Sequence, residues 1–156
     1  MTRGIVKLIS TIFSIFFLLT VSEIRTLAFE VRQIENEYEL IQEEYYDSLE
    51  FMAICVEAEA GNQDLMGKRL VADVILNRVD SDRFPNDIVS VITQKNQFSV
   101  YTDGGMAKAE PSDETFEAIR MELESRTDPD ILFFTAGGYN KYCVPAYKYK
   151  DHYFGY

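Results

Sequence analysis

Cys55-Val-Glu-Ala-Glu-Ala-Gly-Asn-Gln63 is the stretch that decides how this 156-residue chain is interpreted. Apolar spacing over residues 47–60 predicts a helix, and its solvent side holds Asp47, Glu50 and Glu57. The opposite, apolar side carries one carboxylate, Glu59, beside Leu49, Met52, Cys55 and Val56. A buried carboxylate tends to hold its proton, which is the state that a general acid needs near neutral pH. A buried glutamate that pairs with an arginine or caps a backbone amide is the alternative.

The composition predicts one globular domain that does not bind nucleic acid. A hydrophobic content of 47% is ample for a single core. The net charge of −11 would repel phosphates, and no long basic run is present. Because His152 is the one histidine and there is neither a close cysteine pair nor a calcium loop, we expect no metal site.

The first 28 residues are typical of a secretory signal peptide. Arg3 and Lys7 precede the uncharged run at residues 8–21, and the small-residue pattern at residues 26–28 follows. Cleavage there would leave an exported part with 12 basic and 25 acidic residues, a net charge of −13, after loss of three basic residues and one acidic residue. An uncleaved anchor is the alternative, because residues 4–21 are close to the shortest membrane span. The basic end faces the cytoplasm in both cases.

The remaining chain predicts a spacer followed by a mainly helical domain. Residues 29–46 are acidic and read as a helical spacer, with a flexible linker as the alternative, and residues 47–156 form the domain. A second helix from about Leu65 to Val79 is apolar almost all round, with Lys68 and Arg69 at its outer edge. Cys55 and Cys143 either form a disulfide or remain two buried free thiols. We favour the free thiols, because a domain of this size does not require a crosslink.

The later elements are a short helix, a polar loop, a third helix and a strand. Asn86 is expected to cap the short helix through residue 92, and a loop follows over residues 93–110. Ser112 is a good N-cap for the third helix, whose predicted buried stripe is Phe116, Ile119 and Leu123. Residues 131–134 predict a buried strand, and the tail beyond is rich in tyrosine.

Five motifs in order resemble the SleB-type cell wall hydrolases, which include spore cortex-lytic enzymes. The first is Val56-Glu-Ala-Glu-Ala-Gly61, followed by Gly67 and then by Val71-Ala-Asp-Val-Ile-Leu-Asn-Arg-Val79. The others are Arg83-Phe-Pro-Asn86, Gln97-Phe-Ser99, Leu132-Phe-Phe134 and His152-Tyr-Phe154. The resemblance covers about residues 50–156 and implies a lysozyme-like α+β domain, mainly helical, with a small β-sheet. It also implies a bacterial or phage origin.

The resemblance implies cleavage of peptidoglycan glycan strands without a cofactor. The family's catalytic glutamate stands eight residues before the helix glycine, which is Glu59 here, with Glu57 as the fallback. The motifs carry one obvious carboxylate, whereas hydrolysis by water normally uses two. The resemblance therefore implies a lytic transglycosylase acting on the MurNAc-GlcNAc bond. In such enzymes the 6-hydroxyl of N-acetylmuramic acid closes a 1,6-anhydro ring, and one glutamate gives and later takes a proton.

The other candidate site residues are contacts for the sugar. By resemblance we expect Gln97 and Ser99 to hydrogen-bond the acetamido groups of the substrate. The other substrate-binding candidates are Phe98, Thr135, Tyr142 and His152. Tyrosines such as Tyr142 offer an apolar face with a polar rim for stacking on sugars. A self-satisfied polar turn, core tyrosines and a structural histidine are the alternatives.

Two departures from the family narrow this reading. Gly61-Asn62-Gln63 stands where cortex-lytic members often have Gly-Glu-Pro, and residues 29–46 are too short for a separate peptidoglycan-binding domain. General wall remodelling therefore fits as well as cortex lysis. The rival functions are a non-catalytic peptidoglycan-binding module and a membrane-anchored accessory protein that docks through residues 29–46. The enzyme and both rivals would act outside the cytoplasm. Each would contact the membrane only through the N-terminal segment, if that segment is uncleaved.

Overall fold

The computed structural model describes residues 2–139 and 141–156. Two compact units are present, Met1–Tyr45 and Tyr46–Tyr156. The first helix, α1 (Thr2–Ala60), contributes residues to both units. The second unit holds every other helix and strand described below.

Among the described residues, α1 is the one helix that is long and apolar enough to cross a membrane, as judged by length and composition. Its apolar stretch lies near the N-terminus. A secretory signal sequence also has an apolar stretch near the N-terminus, so this property does not distinguish a leader from an anchor. The division into a leader or anchor at residues 1–28, a spacer at 29–46 and a catalytic domain at 47–156 therefore stays a prediction.

Four helices lie wholly in the second unit, and all but one of them begin at polar caps. They are α2 (Leu65–Asp80), α3 (Ile88–Thr93), α4 (Ser99–Thr102) and α5 (Asp113–Glu124), with a 3-10 turn at Met106–Lys108. Ser112 caps α5 as predicted, because its side chain accepts a hydrogen bond from the backbone N–H of Thr115. The predicted cap at Asn86 is wrong. Asp87 directly precedes α3 and accepts from the N–H of Ser90 instead.

Helix α2 runs through the centre of the core but is not purely apolar. Val71, Val74 and Ile75 are fully buried, and the charged residues Lys68 and Asp73 on other faces are buried as well. The prediction that Lys68 marks an outer edge is wrong. Its ammonium lies 2.9 Å from the Ser112 hydroxyl and 3.3 Å from the Glu114 carboxylate, because α5 packs against this side of α2.

The buried face of α5 also differs from the predicted stripe. Ile119 is buried as expected, whereas Phe116 and Leu123 are 45% and 39% exposed. The face is set by polar contacts, since Arg69 Nε lies 2.6 Å from Glu122 Oε1 in an ion pair across α2 and α5. The residues that α5 buries are Thr115, Ala118, Ile119 and Glu122.

A small antiparallel sheet closes the domain. Its strands are β1 (Phe133–Thr135), β2 (Pro145–Tyr149) and β3 (His152–Gly155), in the order β1-β3-β2. The predicted strand at residues 131–134 begins two residues later, although Ile131 is fully buried. The central strand β3 places His152 beside β1 at one end of the sheet, where Thr135 pairs with Tyr153. The prediction of a mainly helical α+β domain with a small sheet is confirmed.

Candidate active site

A polar cleft of about 400 Å³ opens where the end of α1, the segment around α4 and the sheet come together. The end of α1 contributes a carboxylate, the α4 segment contributes amides and hydroxyls, and β1 and β3 contribute the opposite wall. The lining residues are Glu59, Asn96, Gln97, Ser99, Thr102, Phe134, Thr135, Ala136 and His152. Five of the seven site residues predicted from the sequence are therefore brought together.

Glu59 is the acidic group of this cleft. It lies in the last turn of α1, half-buried, directly before the buried Ala60. Burial and, to a lesser extent, the negative charge of Asp103 raise the pKa of Glu59 to about 7, against the opposing effect of a hydrogen bond from the backbone N–H of Val100. A large fraction of Glu59 is therefore protonated near neutral pH and has a proton to donate.

Glu57, two residues earlier, has a different environment from the one predicted. We expected it on the solvent side of α1, but its side chain is only 16% exposed. The Ser112 backbone N–H and hydroxyl donate to its Oε2 over 3.3 and 3.2 Å, the Thr115 hydroxyl also donates, and the Lys68 ammonium lies 3.5 Å away. Burial alone would raise the pKa of Glu57, but these donors outweigh it and lower the pKa. Glu57 is ionised and structural, which favours Glu59 as the acid.

Hydrogen-bonding groups face Glu59 from the loop and from β1. Gln97 is half-buried and Ser99 is exposed at the start of α4. The Thr135 hydroxyl donates to the carbonyl of Gly138, so its lone pairs are left to accept a bond from a ligand. An acetamido or hydroxyl group in the cleft would therefore meet both donors and acceptors.

Two predicted site residues do not line the cleft. Phe98 is 2% exposed, and its ring packs 5.9 Å from that of Phe134 and 5.2 Å from the guanidinium carbon of Arg78. Gln97 and Ser99 flank it in the same motif, but the chain turns the phenyl ring inward to the core. Tyr142 is 75% exposed and lies outside the lining residues, with the Lys141 ammonium 4.9 Å from its ring.

His152 forms the far wall of the cleft and is a neutral group. It is 5% exposed, and its ring packs edge-on against Phe134 at 5.1 Å and Phe154 at 6.1 Å. Burial lowers the pKa of His152, although the nearby Asp151 acts in the opposite direction. A neutral imidazole in this position can exchange hydrogen bonds with a bound ligand without adding charge.

Behind the cleft, Arg78 of α2 holds the sheet in place. Its Nε donates to the carbonyl of Leu132 over 2.7 Å, and its guanidinium carbon lies 4.9 Å from the ring of Phe84 and 5.6 Å from that of Phe133. Burial lowers the pKa of Arg78 to about 10, which still leaves it charged at neutral pH. Arg78 therefore fixes the position of β1, which carries Thr135.

Sequence reasoning missed three polar groups of this region. Asn96 and Thr102 line the cleft, and Asp103 acts on Glu59 through its charge. Asn96 is adjacent to the recognised motif and has a φ of 65°, in the left-handed region that asparagine tolerates. Thr102 and Asp103 were assigned to a featureless loop, and only the turn of α4 brings them toward Glu59.

The two cysteines differ in burial and are not joined by a disulfide. Cys55 is a buried free thiol, so the Cys55–Cys143 disulfide is not formed, and half-burial of Cys143 differs from the two buried thiols expected. Burial raises the pKa of Cys55, and the charge of Glu59 adds to that effect. Across the part of the chain that is described, no three His, Cys, Asp or Glu side chains group closely enough to hold a metal ion.

Comparison with protein families gives a match over most of the second unit. A family model described as Cell Wall Hydrolase matches residues 62–154. The matched range begins three residues after Glu59, so the match itself does not assign that residue.

Curated relatives and solved structures agree with the family match. The spore cortex-lytic enzyme of Oceanobacillus iheyensis is 36% identical over 73 residues, which are 47% of this chain and 26% of that protein. That of Bacillus cereus is 38% identical over 58 residues, 37% of this chain and 22% of that protein. The chain therefore spans about a quarter of the length of these relatives.

Two solved structures share the fold at 25% sequence identity. One is the catalytic domain of a germination-specific lytic transglycosylase, SleB from Bacillus anthracis, with a TM-score of 0.62 over 70% of this chain and 93% of that chain. The other is the catalytic domain of the Bacillus cereus SleB protein, with a TM-score of 0.64 over 71% of this chain and 91% of that chain. The predicted SleB-type fold is thus confirmed.

Proposed function

This chain belongs to the Cell Wall Hydrolase family, and from that premise we propose that it is a lytic transglycosylase of peptidoglycan in which Glu59 is the catalytic acid and base. The observation that carries the proposal is the state of Glu59: it lies in a polar cleft, and its pKa is about 7. Among the described lining residues there is no second carboxylate. A mechanism that needs one carboxylate suits this cleft better than one that needs two.

In the first half of the reaction Glu59 acts as an acid. Its proton passes to the oxygen that joins N-acetylmuramic acid to N-acetylglucosamine, and the bond from that oxygen to the anomeric carbon breaks. The leaving strand departs as an alcohol, and Glu59 becomes a carboxylate. Positive charge that develops on the sugar ring is stabilised by this new negative charge.

In the second half Glu59 acts as a base. The 6-hydroxyl of the same muramic acid attacks the anomeric carbon, and its proton passes to the Glu59 carboxylate. A 1,6-anhydro ring forms, Glu59 is protonated again, and no water is consumed. A group that must give and then accept a proton works best with a pKa near the operating pH.

The rest of the cleft supports substrate binding. Gln97, Ser99 and Thr135 line the cleft, and in this proposal they hydrogen-bond the acetamido and hydroxyl groups of the two sugars across the bond that breaks. His152 supplies a neutral partner on the opposite wall, and Phe134 supplies an apolar face. Peptidoglycan lies outside the cytoplasmic membrane, so we assign an extracytoplasmic location, with residues 1–28 as leader or anchor.

A second candidate function is hydrolysis by water, and Asp103 is the observation that favours it. Asp103 is near enough to raise the pKa of Glu59 by its charge, although it does not line the cleft. A hydrolase would use Asp103 as the second carboxylate and would release reducing ends. A non-catalytic binding module is a third function, and it would release no fragments.

The test is to digest purified peptidoglycan with the full chain in detergent and to identify the fragments by mass spectrometry. We expect anhydro-muramic products from the wild type and none from Glu59→Gln. Glu50→Gln is the matched control, because Glu50 is an exposed glutamate on the same helix. Products with reducing ends in place of anhydro rings would show that the protein is a hydrolase and not a transglycosylase. Binding of glycan strands without any fragments would replace it with the binding module.

A further inference from the structure

The first unit carries a regular apolar stripe that the proposed catalysis does not use. From Ile24 onward, apolar residues recur at alternating intervals of three and four, which are the a and d positions of a heptad repeat. The stripe consists of Ile24, Leu27, Val31, Ile34, Tyr38 and Ile41. Of the twelve other residues between Ile24 and Ile41, only Ala28, Phe29 and Leu40 are apolar. We call the six residues the seam.

The seam lies on a continuous helix and is exposed to solvent. All of its residues belong to α1, and their exposed fractions range from 46% for Val31 to 66% for Ile34. A helix of this length that exposes an apolar stripe gains free energy when a second helix covers the stripe. Side chains at a and d then pack as knobs into holes on that second helix.

The charges beside the seam indicate which helix covers it. In a coiled coil the e and g positions flank the seam and face the partner. The four g positions are Glu23, Glu30, Glu37 and Glu44. The three e positions are Ala28, Glu35 and Gln42. Five flanking residues are thus acidic and none is basic, while Arg25 and Arg32 occupy b positions away from the interface.

A second copy of the chain is a poor match for this pattern. In a parallel pair, a g residue faces the e residue of the next heptad on the other helix, so Glu30 of each copy would face Glu35 of the other. No lysine or arginine in either flank would compensate, and like charges in such pairs are destabilising. A lipid surface is also a poor match, because helices that lie on membranes are rich in lysine and arginine on the polar face, whereas the flanks here are acidic.

We propose that residues 23–44 form one helix of a coiled coil with a different protein, whose helix has an apolar seam flanked by lysine or arginine. The proposal goes beyond the cleavage of peptidoglycan and does not depend on Glu59. Ile24 and Leu27 fall within the predicted leader, so the complete seam exists only in the uncleaved chain. The coiled coil then lies next to the membrane and holds the enzyme at the position of its partner.

The first test measures binding of the full chain, in detergent, to a synthetic helix. This probe repeats the seam residues at a and d and has lysine at every e and g position. We expect binding that weakens by at least about tenfold in Ile34→Asn and stays within about twofold in Leu40→Asn. These variants are matched, because Ile34 and Leu40 are 66% and 65% exposed. Equal losses in the two variants, or no binding by the wild type, would overturn the proposal.

A charge-reversal pair tests the flanks separately. Glu37→Lys with Glu44→Lys changes two g positions, whereas Glu39→Lys with Glu43→Lys makes the same change in net charge at b and f positions. Only the g-position variant is expected to lose binding to the lysine probe. Peptidoglycan cleavage should be unchanged in both variants, which separates this proposal from that for Glu59. Equal loss in both variants would mean nonspecific attraction and would contradict the proposal.

Sedimentation and crosslinking identify the occupant. At neutral pH the full chain should sediment as a monomer in detergent. A dimer that Ile34→Asn disrupts and Leu40→Asn preserves would make the occupant a second copy and overturn the proposal. In the producing cells, a photocrosslinking residue at position 34, with position 40 as control, should capture a peptide with heptads and basic flanks. Capture of this chain itself, or of lipid alone, would also overturn it.

Discussion

Glu57 and Glu59 stand two residues apart on one helix and have opposite properties. Glu57 is enclosed by donors from Ser112, Thr115 and Lys68, and its pKa is lowered. Glu59 faces a cleft with one backbone donor, and burial and the charge of Asp103 raise its pKa to about 7. The difference shows that burial alone does not decide a carboxylate's role. The number of donors around it decides whether it is a fixed anion or a proton carrier.

The largest expected effect is the loss of activity in Glu59→Gln. The amide keeps the shape of the side chain but cannot donate and then accept the proton. We expect the release of soluble fragments to fall by about 10²–10⁴-fold, the range for loss of general acid-base catalysis. Initial rates on purified peptidoglycan measure it, with Glu50→Gln as control. A rate close to that of the wild type would show that Glu59 is not the acid.

The next effect is on stability as a function of pH. The folded-state pKa of Glu59 is about 7, above its unfolded value of 4.5, so the stabilisation it provides is present below about pH 4.5 and lost as the pH rises through 7. Relative to Glu59→Gln, the wild type should therefore lose about 2–3 kcal/mol of unfolding free energy between pH 4 and 8. Denaturant unfolding at several pH values measures the difference.

The comparison with the variant is needed because Asp73 titrates in the same range. Burial raises the pKa of Asp73 to about 7, and the neighbouring charge of Glu122 contributes, against a hydrogen bond from the backbone N–H of Asp128. Asp73 is present in both proteins, so its contribution cancels in the difference. A difference that does not change with pH would mean that Glu59 is not perturbed.

Glu57→Gln should mainly affect stability, and with the opposite dependence on pH. The amide weakens the bonds from Thr115 and Ser112, and it removes one of the negative partners of the buried Lys68. We expect a loss of about 1–3 kcal/mol near pH 7. Because the pKa of Glu57 is lowered on folding, its contribution is present above about pH 4.5, so the deficit should shrink as the pH falls through the folded value.

Activity distinguishes the two glutamates in the same experiment. Glu57→Gln should cleave peptidoglycan at close to the wild-type rate at temperatures where it is folded. A folded Glu57→Gln protein without activity would move the catalytic role toward Glu57.

The smallest expected effect is a shift of the pH profile in Asp103→Asn. Removing this negative charge lowers the pKa of Glu59, so the fall of activity on the alkaline side should move to lower pH. The shift should be less than about one pH unit, because Asp103 is exposed and solvent screens its charge. A pH-rate profile measures it, and activity near pH 5 should be retained. A large loss at every pH would identify Asp103 as a second catalytic carboxylate.

The local rules of helix formation predicted much of the fold and the centre of the site. Periodicity identified Glu59 as a carboxylate among apolar neighbours and predicted most of the helices of the second unit. The residue type at the start of α5 predicted Ser112 as its cap. Motif resemblance brought Gln97, Ser99 and His152 into the same predicted site, and the structure places all three in the cleft.

What the sequence did not reveal depends on contacts between distant segments. Periodicity on one helix cannot show that α5 supplies donors to Glu57 from Ser112 and Thr115, 55 and 58 residues away. It also cannot show that a lysine on α2 is covered by the same helix. Phe98 was grouped with its motif neighbours, but adjacent side chains in an irregular segment point in different directions. The four-residue helix α4 brings Thr102 and Asp103 toward Glu59, and a helix this short has no apolar periodicity from which it could be predicted.

The buried thiol of Cys55 belongs to the core of the second unit. Its pKa is raised by burial, so the sulfur stays protonated and is a weak nucleophile. The second unit holds together through Met52, Val56, Val71 and Ile75 around that thiol, with no sulfur-sulfur crosslink to Cys143. The packing of this core therefore does not depend on a bond between the two sulfurs, and a Cys55→Ala variant should be judged by the volume it leaves empty rather than by a lost crosslink.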